Sequence, residues 1–310
     1  MKSFHLAAAA VCLATTSSTM AIAQEKVQIS YSGVVSVEHL AVSNDSFDYF
    51  YGNGDVSFRW STANDLKFGA ELGIETFRSL NEGVSDDLTA YHAAGVVEGR
   101  FGKVSIGMPR GIMDDYFTIP ALGGSELFET EISGLFGSNF VGLVKLFESG
   151  TEELYGARYD GKIGQIKVAA STFRLSESSV HIEEIAARYD AGQWSVSLGT
   201  VLLEDDGNSA NSTSLEVQGH AGKFSGGMVY TKTDLMVSID SIRGFVSYDL
   251  NEMIKLNTQV MHLTDGALNS NLYSFDLEYN NKTGTLINAG VFTDESFDDS
   301  IFDVSLGYKF

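Results

Sequence analysis

Carboxylates carry most of the chemistry available to this chain: 41 Asp and Glu stand against 20 Lys and Arg in 310 residues, a formal net charge of -21. So acidic a chain repels phosphate backbones, which argues against a nucleic-acid partner. The pairs Asp114-Asp115, Asp205-Asp206 and Asp298-Asp299 supply hard oxygen ligands of the kind calcium takes. No twelve-residue calcium-loop spacing surrounds them, and a solvated acidic surface is the plainer reading of each. There is no H-E-x-x-H, no G-x-S-x-G and no glycine-rich phosphate loop. Beyond residue 23 the histidines are His39, His92, His181, His220 and His262, one to a segment. A lipase or protease triad would have to be assembled across the fold, so the sequence reads as a non-enzyme with no catalytic residues and no required cofactor.

The first residues, MKSFHLAAAAVCLATTSSTMAIAQ, place one Lys before a run rich in Ala and Leu and end on Ala21-Ile22-Ala23. That is the layout of a secretory signal with an A-x-A cleavage site. Residues 1–23 are expected to be removed, leaving residues 24–310 as one domain. Cys12, the chain's one cysteine, would leave with the signal, so no disulfide or thiolate metal site is expected in the remainder.

The elements that position the charges show in the alternation. No stretch offers about 18 consecutive apolar residues, so no spanning helix is expected. The mean hydropathy of +0.00 hides a period of two. In SIFDVSLGYKF, Phe302, Val304, Leu306, Tyr308 and Phe310 alternate with Asp303, Ser305, Gly307 and Lys309, which sets the two kinds on opposite faces of a strand. The same parity places Leu72, Leu198 and Phe275 on an apolar face, and Glu71, Ser197 and Asp276 on a polar one. Tight turns recur, as in ARYDGKIGQIKV, ARYDAGQWSVSL and LEYNNKTGTLIN. An aromatic precedes several of them (Tyr159, Tyr189, Tyr248, Tyr279 and Trp60), the pattern of a girdle at a membrane interface. Longer acidic connections are expected near Asn44, Asn81, Ser176, Asp205 and Asp294.

Sixteen alternating segments can be marked, among them 27–37, 47–60, 153–160, 193–203, 213–220 and 300–310. A tilted spanning strand needs about 9 to 11 residues. The expected fold is therefore all-β, a 16-stranded antiparallel transmembrane β-barrel, wide enough for an aqueous channel. A soluble two-sheet sandwich is the structural alternative. From Met108 to about Glu152 the alternation lapses, and both prolines, Pro109 and Pro120, fall there. A loop of that length with so many apolar residues is expected to dock on something, most simply the inner wall.

The secretory signal, the sixteen segments, this long third outer loop with Pro120, Gly123 and Gly124, and the terminal Phe310 together resemble the trimeric general porins of Gram-negative bacteria. The stretch GKVSIGMPRGIMDDYFTIPALGGSELFE is most similar to the alphaproteobacterial, Rhodobacter-like branch. The resemblance implies a loop folded into the channel, with acidic residues facing basic ones across an eyelet. Ala121 and Leu122 depart from the Pro-Glu-Phe-Gly-Gly pattern of that family, so no carboxylate carries over there. The candidates for the acidic side are Asp114, Asp115, Glu126, Glu129 and Glu131. Those for the basic side are Arg59, Lys67, Lys103, Arg158, Lys167, Arg188 and Arg243, with Arg110 where the loop begins. Lys167, Arg243 and Arg110 are expected at mid-height, the others nearer the inner vestibule.

The resemblance further implies a homotrimer in the outer membrane, contact with lipid and lipopolysaccharide, and calcium in some relatives. It also makes Phe310 a signal for the barrel-assembly machinery, with the last strand closing on the first. The function implied is passive diffusion of small hydrophilic solutes and ions. An excess of acidic over basic residues favours cations. The alternative is a solute-specific outer-membrane channel.

Overall fold

The computed structural model describes residues 27–43, 45–62, 65–81, 87–126, 154–176, 178–234, 238–264, 269–295 and 300–310. The predicted alternation becomes strand throughout. In chain order the strands are β1 (Val27–Val42), β2 (Asp45–Ser61), β3 (Lys67–Ser79), β4 (Asp87–Gly99), β5 (Gly102–Met108), β6 (Leu154–Ile163), β7 (Ile166–Leu175) and β8 (His181–Asp190). Then come β9 (Trp194–Asp205), β10 (Asn208–Ala221), β11 (Phe224–Asp234), β12 (Ser238–Asp249), β13 (Ile254–Thr264), β14 (Asn269–Asn280), β15 (Thr285–Asp294) and β16 (Ser300–Lys309). Each is antiparallel to its sequence neighbours, and β1 pairs with β16, so the sixteen strands form one closed barrel. Closure pairs both end strands with each other, and β1 runs on past the seam at Val27–Ser32. The seam runs from Val42↔Ile301 to Val34↔Lys309, and Gly33 and Phe310 exchange two backbone hydrogen bonds of 3.0 Å.

One connection expected to be long is a tight turn. Only Asp206 and Gly207 separate β9 from β10, with φ of 46 and 84. Positive φ at both central positions is what an Asp-Gly hairpin turn requires, and glycine takes it without strain. The polar residues of EDDGNSAN therefore belong to two long strands rather than to a loop. Likewise β1 runs to Val42 and β2 starts at Asp45, so Asp45, Ser46 and Asp48 of the polar stretch near Asn44 belong to a strand. The turn after β6 also shifts: the strand continues past Asp160 and Gly161 to Ile163, and the chain reverses at Gly164 and Gln165.

Side chains sort by parity as expected. Leu72, Trp194, Leu198, Phe275, Phe302, Val304, Leu306 and Tyr308 are exposed, while Glu75, Ser195, Ser197, Ser274, Asp276, Asp303 and Ser305 are buried. A soluble barrel would do the opposite. The polar face also carries three apolar clusters: one around Phe173, Ile182 and Val201, one around Met261, Leu272 and Phe292, and one around Leu40, Tyr51 and Phe77.

Candidate functional site

Where β5 ends at Met108, Pro109 cannot donate to a ladder, and the chain leaves the sheet. Segment 109–126 then runs along the polar face of the wall. It holds a short helix, α1 (Met113–Tyr116), and a 3-10 turn at Leu122–Gly124. Apolar side chains dock it at two places. Ile112, Met113, Tyr116 and Phe117 complete the cluster around Phe173 and Ile182, and Leu122 completes that around Met261 and Phe292. Burying one side chain of this size is worth about 1.5–3 kcal/mol. Burial also pushes the Tyr116 hydroxyl up to about 12, helped by the nearby Asp160 carboxylate.

Polar wall residues fix the backbone between those anchors. Next to Pro109 stands Arg110, whose guanidinium donates to Asp55 (3.0 and 3.1 Å) and Asn53 (2.8 Å) on β2 and lies 3.5 Å from Glu75. The Ile112 N–H donates to Glu184 on β8 (2.9 Å) and the Thr118 N–H to Glu216 on β10 (3.0 Å). The Tyr116 carbonyl accepts from Ser197 (2.6 Å) and Arg188 (3.2 Å). Arg243 on β12 donates to the Pro120 carbonyl, and Gln259 on β13 to the Ala121 carbonyl (2.8 Å). Asn288 reaches the Gly124 carbonyl at 3.3 Å, and the Ser125 hydroxyl donates to Glu38 on β1 at 3.1 Å. Glu38, Glu184, Glu216 and Arg243 are each at most 1% exposed. Hydrogen bonds to charged groups are worth about 1.5–3 kcal/mol each, so the segment is held by the wall rather than by its own secondary structure.

Backbone shape matters at Gly290 on β15. A Cβ there would overlap the Gly123 carbonyl. The 3-10 turn thus sits against the wall only because that position has no side chain.

The basic candidates separate into two groups. Arg158, Arg188 and Arg243 touch the segment. Arg158 forms an ion pair with Asp115 and donates to the Gly111 carbonyl (3.0 Å) while gripping Asp160. It lies mid-strand rather than near the rim, because β6 runs on to Ile163. Lys167 is the reverse case: it stands one residue into β7, 3.1 Å from Asp190, at the tight-turn end instead of mid-height. Arg59 pairs with Glu71 and Glu98, Lys67 with Glu98 (2.9 Å) and Lys103 with Glu71 (3.3 Å), all wall to wall.

On the acidic side, Asp115 meets Arg158 and Glu126 is exposed. Asp114 lies in α1 with its side chain outside the described ones, and Glu129 and Glu131 lie outside the described residues. Two facing rows of opposite sign are not what the described contacts form. A loop cation meets wall carboxylates at Arg110, a loop carboxylate meets a wall cation at Asp115, and wall carboxylates take loop N–H groups.

The anchors Glu38, Glu184, Glu216 and Gln259 were not among the candidates. Their polar parity was legible, but which of many polar-parity residues would meet the segment was not. Asp205 accepts from Ser179 (2.6 Å), and Asp206 forms the hairpin turn. Asp298 and Asp299 lie outside the described residues. Among the described residues no three His, Cys or carboxylate side chains converge on a metal-sized point.

A family model described as Gram-negative porin matches residues 7–300. Among solved structures, a mutant of Rh. blastica porin superposes with a TM-score of 0.67 at 14% identity, over 91% of this chain and 100% of that one. A loop-deletion mutant of OmpT, an outer membrane protein of Vibrio cholerae, superposes with a TM-score of 0.68 at 14% identity, over 92% and 99%. At such identity the superpositions speak for the fold. No curated protein matches the sequence.

Proposed function

Because the chain belongs to the Gram-negative porin family, we propose that it is an outer-membrane channel for passive diffusion of small hydrophilic solutes, preferring cations, with segment 109–126 lying in the lumen and narrowing it. As a Gram-negative porin it resides in the outer membrane, and the family and fold are those of channels rather than enzymes. The observation that carries the channel reading is the inverted distribution of side chains: large apolar groups exposed on one face of a closed barrel, buried carboxylates, serines and arginines on the other. The apolar face suits lipid and the polar face lines water. The narrowing is supported by the segment's bonds to β1, β2, β8, β10, β12 and β13, strands on all sides of the ring.

Cation preference rests on the charge balance of 41 acidic against 20 basic residues. Residues 1–23 fit a signal peptide, and the family resemblance supports a homotrimer assembled by the barrel-assembly machinery among lipopolysaccharide and lipid. Purified protein in a planar bilayer should give discrete conductance steps, and its reversal potential under a salt gradient should carry the sign for cations. An anion-signed potential removes the selectivity, and no conductance removes the channel.

A further inference from the structure

A cavity of about 190 Å³ opens between the first arm of segment 109–126 and the polar face of β2–β6. Its charged lining is mixed: Lys103, Arg110 and Arg158 against Asp55, Glu71 and Asp115. Two further carboxylates reach the same cations from behind, Glu75 at 3.5 Å from Arg110 and Asp160 at 3.6 Å from Lys103. Arg59 reaches Glu71 in the same way, so among the described contacts four positive charges meet five negative ones, an excess of one negative charge.

The charges are also layered. Arg158 is only 6% exposed and Arg110 20%, whereas Asp55 is 46% and Asp115 56% exposed. Arg158 and Arg110 form the floor, backed by Glu75 at 4%, and Asp55 and Asp115 form the mouth, with Lys103 and Glu71 between them at 27% and 32%. Asp55 stands on the wall and Asp115 on the segment, so the two face the opening from different elements.

We propose that this cavity is a binding subsite for small net-cationic amino acids, whose side-chain guanidinium or ammonium would lie between Asp55 and Asp115 while the carboxylate is turned toward the cations of the floor. A simple anion meets the negative excess and is repelled, and a neutral sugar leaves the charged mouth without a partner. A guanidinium fits a carboxylate pair best because its planar fork can donate to both. This inference rests on the channel reading above, since the cavity is reached from the lumen.

The test uses the full folded protein in detergent, titrated calorimetrically with L-arginine, L-citrulline, L-glutamate and sucrose, alongside conductance of the same protein in KCl. L-citrulline has nearly the shape of L-arginine without its side-chain charge, so this comparison needs no variant. L-arginine should bind saturably and at least about tenfold more tightly than L-citrulline, a ratio set by one charge-assisted contact. L-glutamate and sucrose should show no saturable binding. Asp55→Asn and Asp115→Asn should each weaken L-arginine by about tenfold, and unchanged L-arginine affinity in both variants overturns the subsite. Equal binding of L-arginine and L-citrulline, or none of either, overturns the subsite. A conducting barrel that ignores L-arginine overturns the subsite and leaves the channel standing. A barrel that binds L-arginine but does not conduct upholds the site and overturns the channel.

Discussion

Arg243 shows what one residue can do on this wall. It is 1% exposed, donates to Gln259 at 2.9 Å and holds the carbonyl of Pro120. Arg243→Met would keep the stem's volume and leave that carbonyl without this donor, at a cost of about 1–3 kcal/mol. Single-channel records of Arg243→Met should show larger and noisier open currents than the parent. Arg59→Met is the matched control: Arg59 pairs with Glu71 and Glu98 on the wall and, among the described contacts, makes no bond to the segment, so its loss should shift ion selectivity and leave current noise unchanged. Parity placed both arginines on the polar face from the sequence. Their different partners were not legible there, because partners 123 residues apart meet only when the barrel closes.

At the scale of elements, the segment from Pro109 to Glu126 has little structure to hold itself. Its helix is four residues long and has no side-chain cap, far short of what a free helix needs. Docking must supply its order. Ile112 and Leu122 are both fully buried, each in a separate cluster. Truncating either to alanine should cost about 2–5 kcal/mol of docking. Ile112→Ala and Leu122→Ala should each make the segment more protease-sensitive while the barrel stays resistant, and the double variant should exceed either single change. A barrel cleaved as readily as the segment would show that the segment also stabilises the wall. The lapse of alternation after Met108 announced this element from sequence. The hairpin at Asp206-Gly207 was misplaced for a related reason: polar residues on the water-facing end of long strands look like loop when counted by composition alone.

The whole molecule depends on its seam. Phe310 makes the last rung, trading two backbone hydrogen bonds with Gly33, and its ring lies so close that a Cβ on Gly33 would stand 2.5 Å from it. Loss of that rung removes the Phe310 partners of the Gly33 N–H and carbonyl and lengthens the part of β1 that runs past the seam. Deleting Phe310 should lower the yield of folded barrel several-fold, while barrels that do form keep parental conductance. Normal yield would assign the terminal aromatic no part in assembly.

The sequence by itself determined the number of strands, their antiparallel order, the sign of each face and the place where the chain leaves the sheet. All of these follow from a period of two and its interruption, which are local properties of the chain. Only the tertiary structure decided that Arg158 rather than Lys167 meets the segment, that Glu184 and Glu216 hold its N–H groups, and that Gly290 leaves room for the Gly123 carbonyl. Those are register and distance facts. A shift of a few residues in where one strand ends, as at Ile163, moves a charge from mid-wall to rim, and no residue type announces it.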